Sequence, residues 1–135
     1  MVIKAAPIAG LLAATLLLAG CATATNFSGT PEEWAGEPGG DPDSGVQAFW
    51  LNEGGQIAIT ISGSSTCPYI VSGLRVLDDA QSGNRIAADV PPLPDRPCTM
   101  DYVPHTTVFN TPEPVTTTQP LTIEVMDQVI VLPTK

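Results

Sequence analysis

Residues 56–62 alternate without a break, with Ile57, Ile59 and Ile61 on one side and Ala58, Thr60 and Ser62 on the other. Period two marks a strand with one buried face, because successive side chains leave a strand on opposite sides. Residues 47–51 precede this run, and Asn52-Glu53-Gly54-Gly55 between the two is turn chemistry. Glycine adopts the positive φ that tight turns require, so the two runs read as a hairpin. Further strands are predicted at 70–77, interrupted by Gly73, and at 85–90, where Ile86, Ala88 and Val90 share a face. Others follow at 98–103, with Met100 and Tyr102 on one face, at 106–110, at 121–125 and at 129–132. Pro91, Pro92, Pro94 and Pro97 make a stiff loop that cannot join a central ladder, since proline donates no backbone hydrogen bond.

No amphipathic helix of useful length is predicted. Seven or eight short strands separated by frequent turn signals point to an all-β chain. The expected fold is a small antiparallel β-sandwich, immunoglobulin-like, with one disulfide; a small closed barrel is the alternative. Residues 46–135 are assigned to this domain.

Residues 1–20 read as an export signal. Lys4 is the only charge before an apolar run at 5–18 rich in Leu and Ala. That run is shorter than the roughly 20 apolar residues a membrane-spanning helix needs. It ends in Leu18-Ala19-Gly20-Cys21. This tetrad resembles the lipobox of bacterial lipoproteins. The resemblance implies cleavage before Cys21, a diacylglyceryl group on its thiol and an acyl chain such as palmitate on the new amino terminus. The expected location is the extracytoplasmic face of the cell membrane, with the membrane engaged through the lipid anchor. An ordinary secretory cut at Ala22-Thr23-Ala24 and a retained transmembrane anchor are the competing readings.

Residues 21–45 are expected to form the lipidated N-terminus and a flexible acidic tether. The segment carries Glu32, Glu33, Glu37, Asp41 and Asp43 without a base and is rich in Gly, Pro, Ser and Thr. Such composition buries too little apolar surface to offset its ordering entropy. Within it, Thr30-Pro31-Glu32-Glu33-Trp34 has the cap, proline and glutamate of a helix start, so one helical turn is predicted there. Phe27 and Trp34 either dock on the domain or stay exposed.

Once the signal is removed, only Arg75, Arg85, Arg96 and Lys135 stand against all 14 acids. So acidic a chain is a poor match for nucleic acid or an anionic surface, and its charge favours solubility. Apart from Cys21 the cysteines are Cys67 and Cys98. Two cysteines in an exported domain most simply form one disulfide, and a pair of free thiols binding metal is the competing reading.

Trp50-Leu51-Asn52-Glu53-Gly54-Gly55, Gly63-Ser64-Ser65-Thr66-Cys67-Pro68, Cys98-Thr99-Met100-Asp101-Tyr102-Val103-Pro104 and Leu121-Thr122-Ile123-Glu124-Val125 resemble a family of small lipoproteins from high-GC Gram-positive bacteria. The likeness covers most of the domain. It implies a fold, a disulfide and an address, and no known activity. In that family a basic residue, often arginine, commonly follows the proline of the second cysteine motif; here the position is His105, which weakens its case as a catalytic group.

The chain offers residues for three chemistries. A hydrolase would use Ser64 or Ser65 as nucleophile, His105 as base and Asp101 as orienting acid. The chain has neither a Gly-x-Ser-x-Gly elbow nor Ser-x-x-Lys, and hydroxyls beside a disulfide usually satisfy turn backbone. A copper site would draw on Cys98, Met100 and His105, but a blue-copper centre needs two histidines and the chain has one. Calcium would use Asp41, Asp43, Asp78, Asp79, Asp95 or Asp101, yet no loop shows the alternating acid spacing of a strong motif. No cofactor, metal site or catalytic residue is therefore assigned. Of the aromatics, Phe49, Trp50, Tyr102 and Phe109 are expected in the core, with Tyr69 the one placed to contact a ligand at a loop rim.

The expected function is a non-enzymatic, lipid-anchored binding or structural module with an envelope protein as partner. A ligand- or ion-binding accessory lipoprotein of a transporter or sensor is the alternative, and a small hydrolase the third.

Overall fold

A computed structural model describes residues 24–135. The expectations for the export signal and for Cys21 lie outside the described residues. Nine strands are present among those described: β1 Thr25–Ser28, β2 Ala35–Asp41, β3 Val46–Leu51, β4 Gln56–Gly63, β5 Gly73–Asp78, β6 Arg85–Asp89, β7 Val103–Asn110, β8 Leu121–Val125 and β9 Gln128–Leu132. They form two sheets, ordered β1-β7-β4-β3-β2 and β5-β6-β8-β9. The sheets pack face to face as a small β-sandwich. Every pairing is antiparallel except β6 with β8, which run parallel. That pair departs from the two antiparallel sheets of an immunoglobulin domain.

The core follows from the period-two pattern. Ile57, Ile59 and Ile61 of β4 meet Ile86 and Ala88 of β6, Leu121, Ile123 and Val125 of β8, and Ile130 and Leu132 of β9. Trp50 is fully buried beside them, and its indole Nε1 donates to Pro133 O at 2.8 Å. That bond supplies the partner a buried indole needs. β9 lies so close to β2 that a Cβ on Gly39 would sit 2.6 Å from Val131 O, so only glycine fits there. A buried amide pins the long loop before β8: Asn84, in the left-handed region at φ 54°, accepts from Thr116 N at 2.8 Å and donates to Thr116 O at 3.0 Å.

Residues 25–41 correct the expected tether. They supply β1 and β2, which take opposite edges of the five-stranded sheet. The connection 29–34 must therefore cross β7, β4 and β3. Four strand spacings of about 4.8 Å are close to the reach of six extended residues at about 3.3 Å each. It crosses the outer face. Thr106 Oγ1 donates to Gly29 O at 2.6 Å, Pro31 is buried, and Trp34 stacks at a tilt on Phe49 with ring centroids 5.1 Å apart. Beneath this strap Phe49, Ala58 and Val108 form a second apolar cluster, and Thr60 and Thr106 share a buried hydroxyl bond of 2.7 Å. The side of β4 expected to meet solvent is thus buried at Ala58 and Thr60. The predicted helical turn at 30–34 is absent because this segment is drawn out straight across the sheet. The predicted strand at 98–103 is absent as far as Tyr102, and β7 begins at Val103.

Candidate functional site: the disulfide-tied loop end

Strand direction gives the sandwich two distinct ends. At the first, Gln56 faces Asn110, Thr111 N donates to Gly55 O, and Lys135 Nζ reaches Glu53 O. At the second, Gly63 faces Val103 and two irregular loops emerge, 64–72 and 90–102. A Cys67–Cys98 disulfide joins the loops, with Cα atoms 5.6 Å apart. The two cysteines are bonded to each other, so neither is a free thiolate.

The prolines of the second loop explain how it is held. Residues without an N–H cannot pair with a sheet edge, so side chains fasten the loop instead. Thr99 N donates to Thr66 Oγ1 at 3.0 Å, Arg96 Nη2 donates to Thr66 O at 2.8 Å, and Ser64 Oγ lies 2.8 Å from Thr99 Oγ1. Asp101 completes the set. Its Oδ1 accepts from Ser65 N at 2.9 Å and from the Thr99 hydroxyl. Hydrogen bonds from Ser65 and then from Thr99 hold its carboxyl at about 2, well below the usual range, because they favour the charged form.

The proposed nucleophile, base and acid are not brought together as a triad. Ser65 and Asp101 meet, but His105 Nε2 pairs with Asn26 Oδ1 at 2.9 Å on the neighbouring strand β1. Its pKa is lowered by burial. Nor do the copper candidates combine, since Cys98 is bridged and Met100 is fully exposed. Three of the calcium candidates, Asp41, Asp78 and Asp79, serve turns and an ion pair. Asp41 Oδ1 accepts from Asp43 N at 2.9 Å, Asp79 Oδ1 accepts from Ser82 N at 2.9 Å, and Asp78 pairs with Arg85 at 3.0 Å. Among the described residues no three His, Cys, Asp or Glu side chains are placed to hold a metal ion.

Phe49, Trp50 and Phe109 are buried as expected. Tyr102 is not: it is 66% exposed and lies over Gly45, whose φ of 80° and lack of a Cβ leave room for the phenol. Tyr69 covers Gly63. The disulfide end thus presents Leu93, Met100 and Tyr102 to solvent on loops held by one covalent bond and a set of hydroxyls. Tyr102 was legible as an aromatic but not as a surface residue, because residues 98–102 form a loop where a strand was expected. Comparison with protein-family models, with curated proteins and with solved structures gives no match for this chain.

Proposed function

We propose that this chain is an exported, lipid-anchored, non-catalytic binding or structural module at the extracytoplasmic face of the cell membrane. In this reading Cys21 carries the lipid and the disulfide-tied loops meet an envelope protein. The observation that carries it is the construction of that loop end. Long irregular loops in a compact domain are usually functional, and here the hydroxyls and the carboxylate that resemble a catalytic set are engaged in holding the loops together. Exposed Met100 and Tyr102 offer the large, amphipathic contact area that recognition surfaces favour. The Leu18-Ala19-Gly20-Cys21 tetrad supports the anchor, and a disulfide suits an oxidising compartment.

The test combines metabolic labelling with an alkyne palmitate analogue and in-cell crosslinking, on the wild-type chain and on Cys21→Ser. The expected result is label on the wild type alone, with one envelope protein crosslinked at 93–102. Label retained in Cys21→Ser overturns the anchor. A partner crosslinked with equal yield after Met100→Ala and Tyr102→Ala overturns the loop end as the contact surface.

A further inference from the structure

The five-stranded sheet carries a recess on its strap-covered face, at the end opposite the disulfide. Leu51 and Gln56 are partners across β3 and β4, two residues beyond Phe49 and Ala58 and therefore on the same face. Trp34, at the end of the strap, packs on Phe49 at this face. Together with Glu33 and with Asn52 and Glu53 of the turn between β3 and β4, these residues line a cavity of about 360 Å³. Small-molecule sites span about 300–1,000 Å³, so the recess suits a ligand of side-chain size.

Its lining joins an aromatic ring to uncompensated negative charge. The Trp34 indole is 46% exposed even though Phe49 covers part of it. Leu51 adds half-buried apolar surface. Glu33 and Glu53 bring two carboxylates, and no basic side chain lines the recess. Among the described residues Glu33 makes no ion pair. Glu53 already meets one cation, since Lys135 Nζ lies 3.6 Å from its Oε2, yet its side chain stays 85% exposed. The turn that carries Glu53 is held in a conformation that side chains rarely adopt, with φ of 48° at Asn52 and 53° at Glu53. Asn52 Nδ2 donates to Gln56 Oε1 and braces it.

These groups select a ligand. Two carboxylates on one recess favour a cation, and an exposed indole attracts the same charge through its ring quadrupole. An inorganic divalent ion would use neither the ring nor Leu51, and it needs more oxygen ligands than two side chains supply. Among the described residues no three ligating side chains converge here. Of the organic cations, a guanidinium fits better than an ammonium: it is planar, weakly hydrated, stacks on rings and presents a fork of donors to carboxylates. The acidic balance of the whole chain steers such a ligand toward it.

We infer that this recess is a guanidinium-binding site: the cation stacks on Trp34, its N–H groups donate to Glu33 and Glu53, and the attached methylenes lie along Leu51. The group can arrive on a small molecule or as an arginine side chain of a protein. The site shares no residue with the disulfide end, so it stands whether or not the loops there meet a partner.

Tryptophan fluorescence of the purified protein tests the assignment, because Trp34 is exposed and Trp50 is fully buried. The titrants, at fixed ionic strength, are N-acetyl-arginine amide, its uncharged citrulline counterpart and a short peptide with a central arginine. The expected result is a saturable change with the arginine amide, none with the citrulline compound, and affinity weakened several-fold in Glu33→Gln. Calorimetry should show binding lost in Trp34→Ala. Asp43→Asn, which removes a charge from the turn between β2 and β3, should leave the affinity unchanged. Tighter binding of the peptide than of the amide supports the site and assigns its guanidinium to a protein; equal affinity supports it and assigns a small molecule. No saturable change overturns the site. So does a citrulline compound that binds as tightly as the arginine amide, or equal weakening by Glu33→Gln and Asp43→Asn, which would mark a response to net charge alone.

Discussion

Two proline-bearing segments, the strap at 29–34 and the loop at 90–102, are fastened in opposite ways. The strap, although exposed at 30 and 32–34, is held from the sheet beneath it. Pro31 is covered, Trp34 packs on Phe49, and Thr106 holds Gly29 O from below. The loop is exposed almost throughout and is held by a disulfide and by hydroxyls at the surface. The difference teaches where each bond type is needed. A segment that lies on a sheet gains apolar contact along its length, whereas one that projects into water has no surface to pack on and needs a covalent tie. It also separates roles, since the strap turns Pro31 and Trp34 onto the sheet and the loop displays Met100 and Tyr102.

The sharpest way to break the comparison is to remove the covalent tie. Cys67→Ser with Cys98→Ser opens a loop of 31 positions. The chain-entropy relation assigns such a loop about 3.5–4 kcal/mol of stability, acting largely through the unfolded state. The pair should lower the urea midpoint accordingly, and hydrogen exchange should rise first at 64–72 and 90–102 while the strap stays protected. Equal loss of protection in both segments would mean that the disulfide supports the whole sandwich.

The strap should respond to a different change. Thr106→Val keeps the shape but leaves Gly29 O and the buried Thr60 hydroxyl without their partner. An unmatched buried polar group costs about 1–3 kcal/mol. Adding Thr60→Val should recover part of that loss, because deleting both ends of a buried hydroxyl pair is nearly neutral. Chemical denaturation of the two single variants and the double variant measures the coupling. Trp34→Ala should cost less, about 1 kcal/mol, since the ring is half exposed and contributes chiefly its contact with Phe49.

The same contrast decides what was legible before folding. β4, β6 and β8 carry their own signal, because Ile57, Ile59 and Ile61, then Ile86 and Ala88, then Leu121, Ile123 and Val125 repeat at period two and all reach the core. The disulfide was legible from the two cysteines left once Cys21 is set aside with the expected export signal. β1 and β2 were not. Ala35-Gly36-Glu37-Pro38-Gly39-Gly40-Asp41 has the composition of a linker, and it becomes a strand because β3 supplies the partner edge and Gly39 admits the close approach of β9. Likewise the hydroxyl run at Ser64, Ser65 and Thr66 was visible, but its partners Thr99 and Asp101 lie more than 30 residues away and are fixed only by the fold. Asn84 carries no local mark at all; its role depends on a loop that arrives from Thr116.

The smallest expected effect lies in the surface network and appears only in acid. Asp101 is held at about 2 in the folded protein by hydrogen bonds from Ser65 and Thr99, against roughly 3.9 for a free aspartate. A carboxylate whose folded pKa is depressed contributes stability that is present above the unfolded value and lost as pH falls through the folded one. The wild type should therefore lose this contribution between about pH 4 and pH 2. Asp101→Asn lacks it at every pH. The two urea midpoints should differ at pH 6 and converge near pH 2, and a carboxyl carbon titration of Asp101 should show its midpoint near the lower limit. A constant difference across that range would mean that the side chain acts through the shape of the loop rather than through its charge.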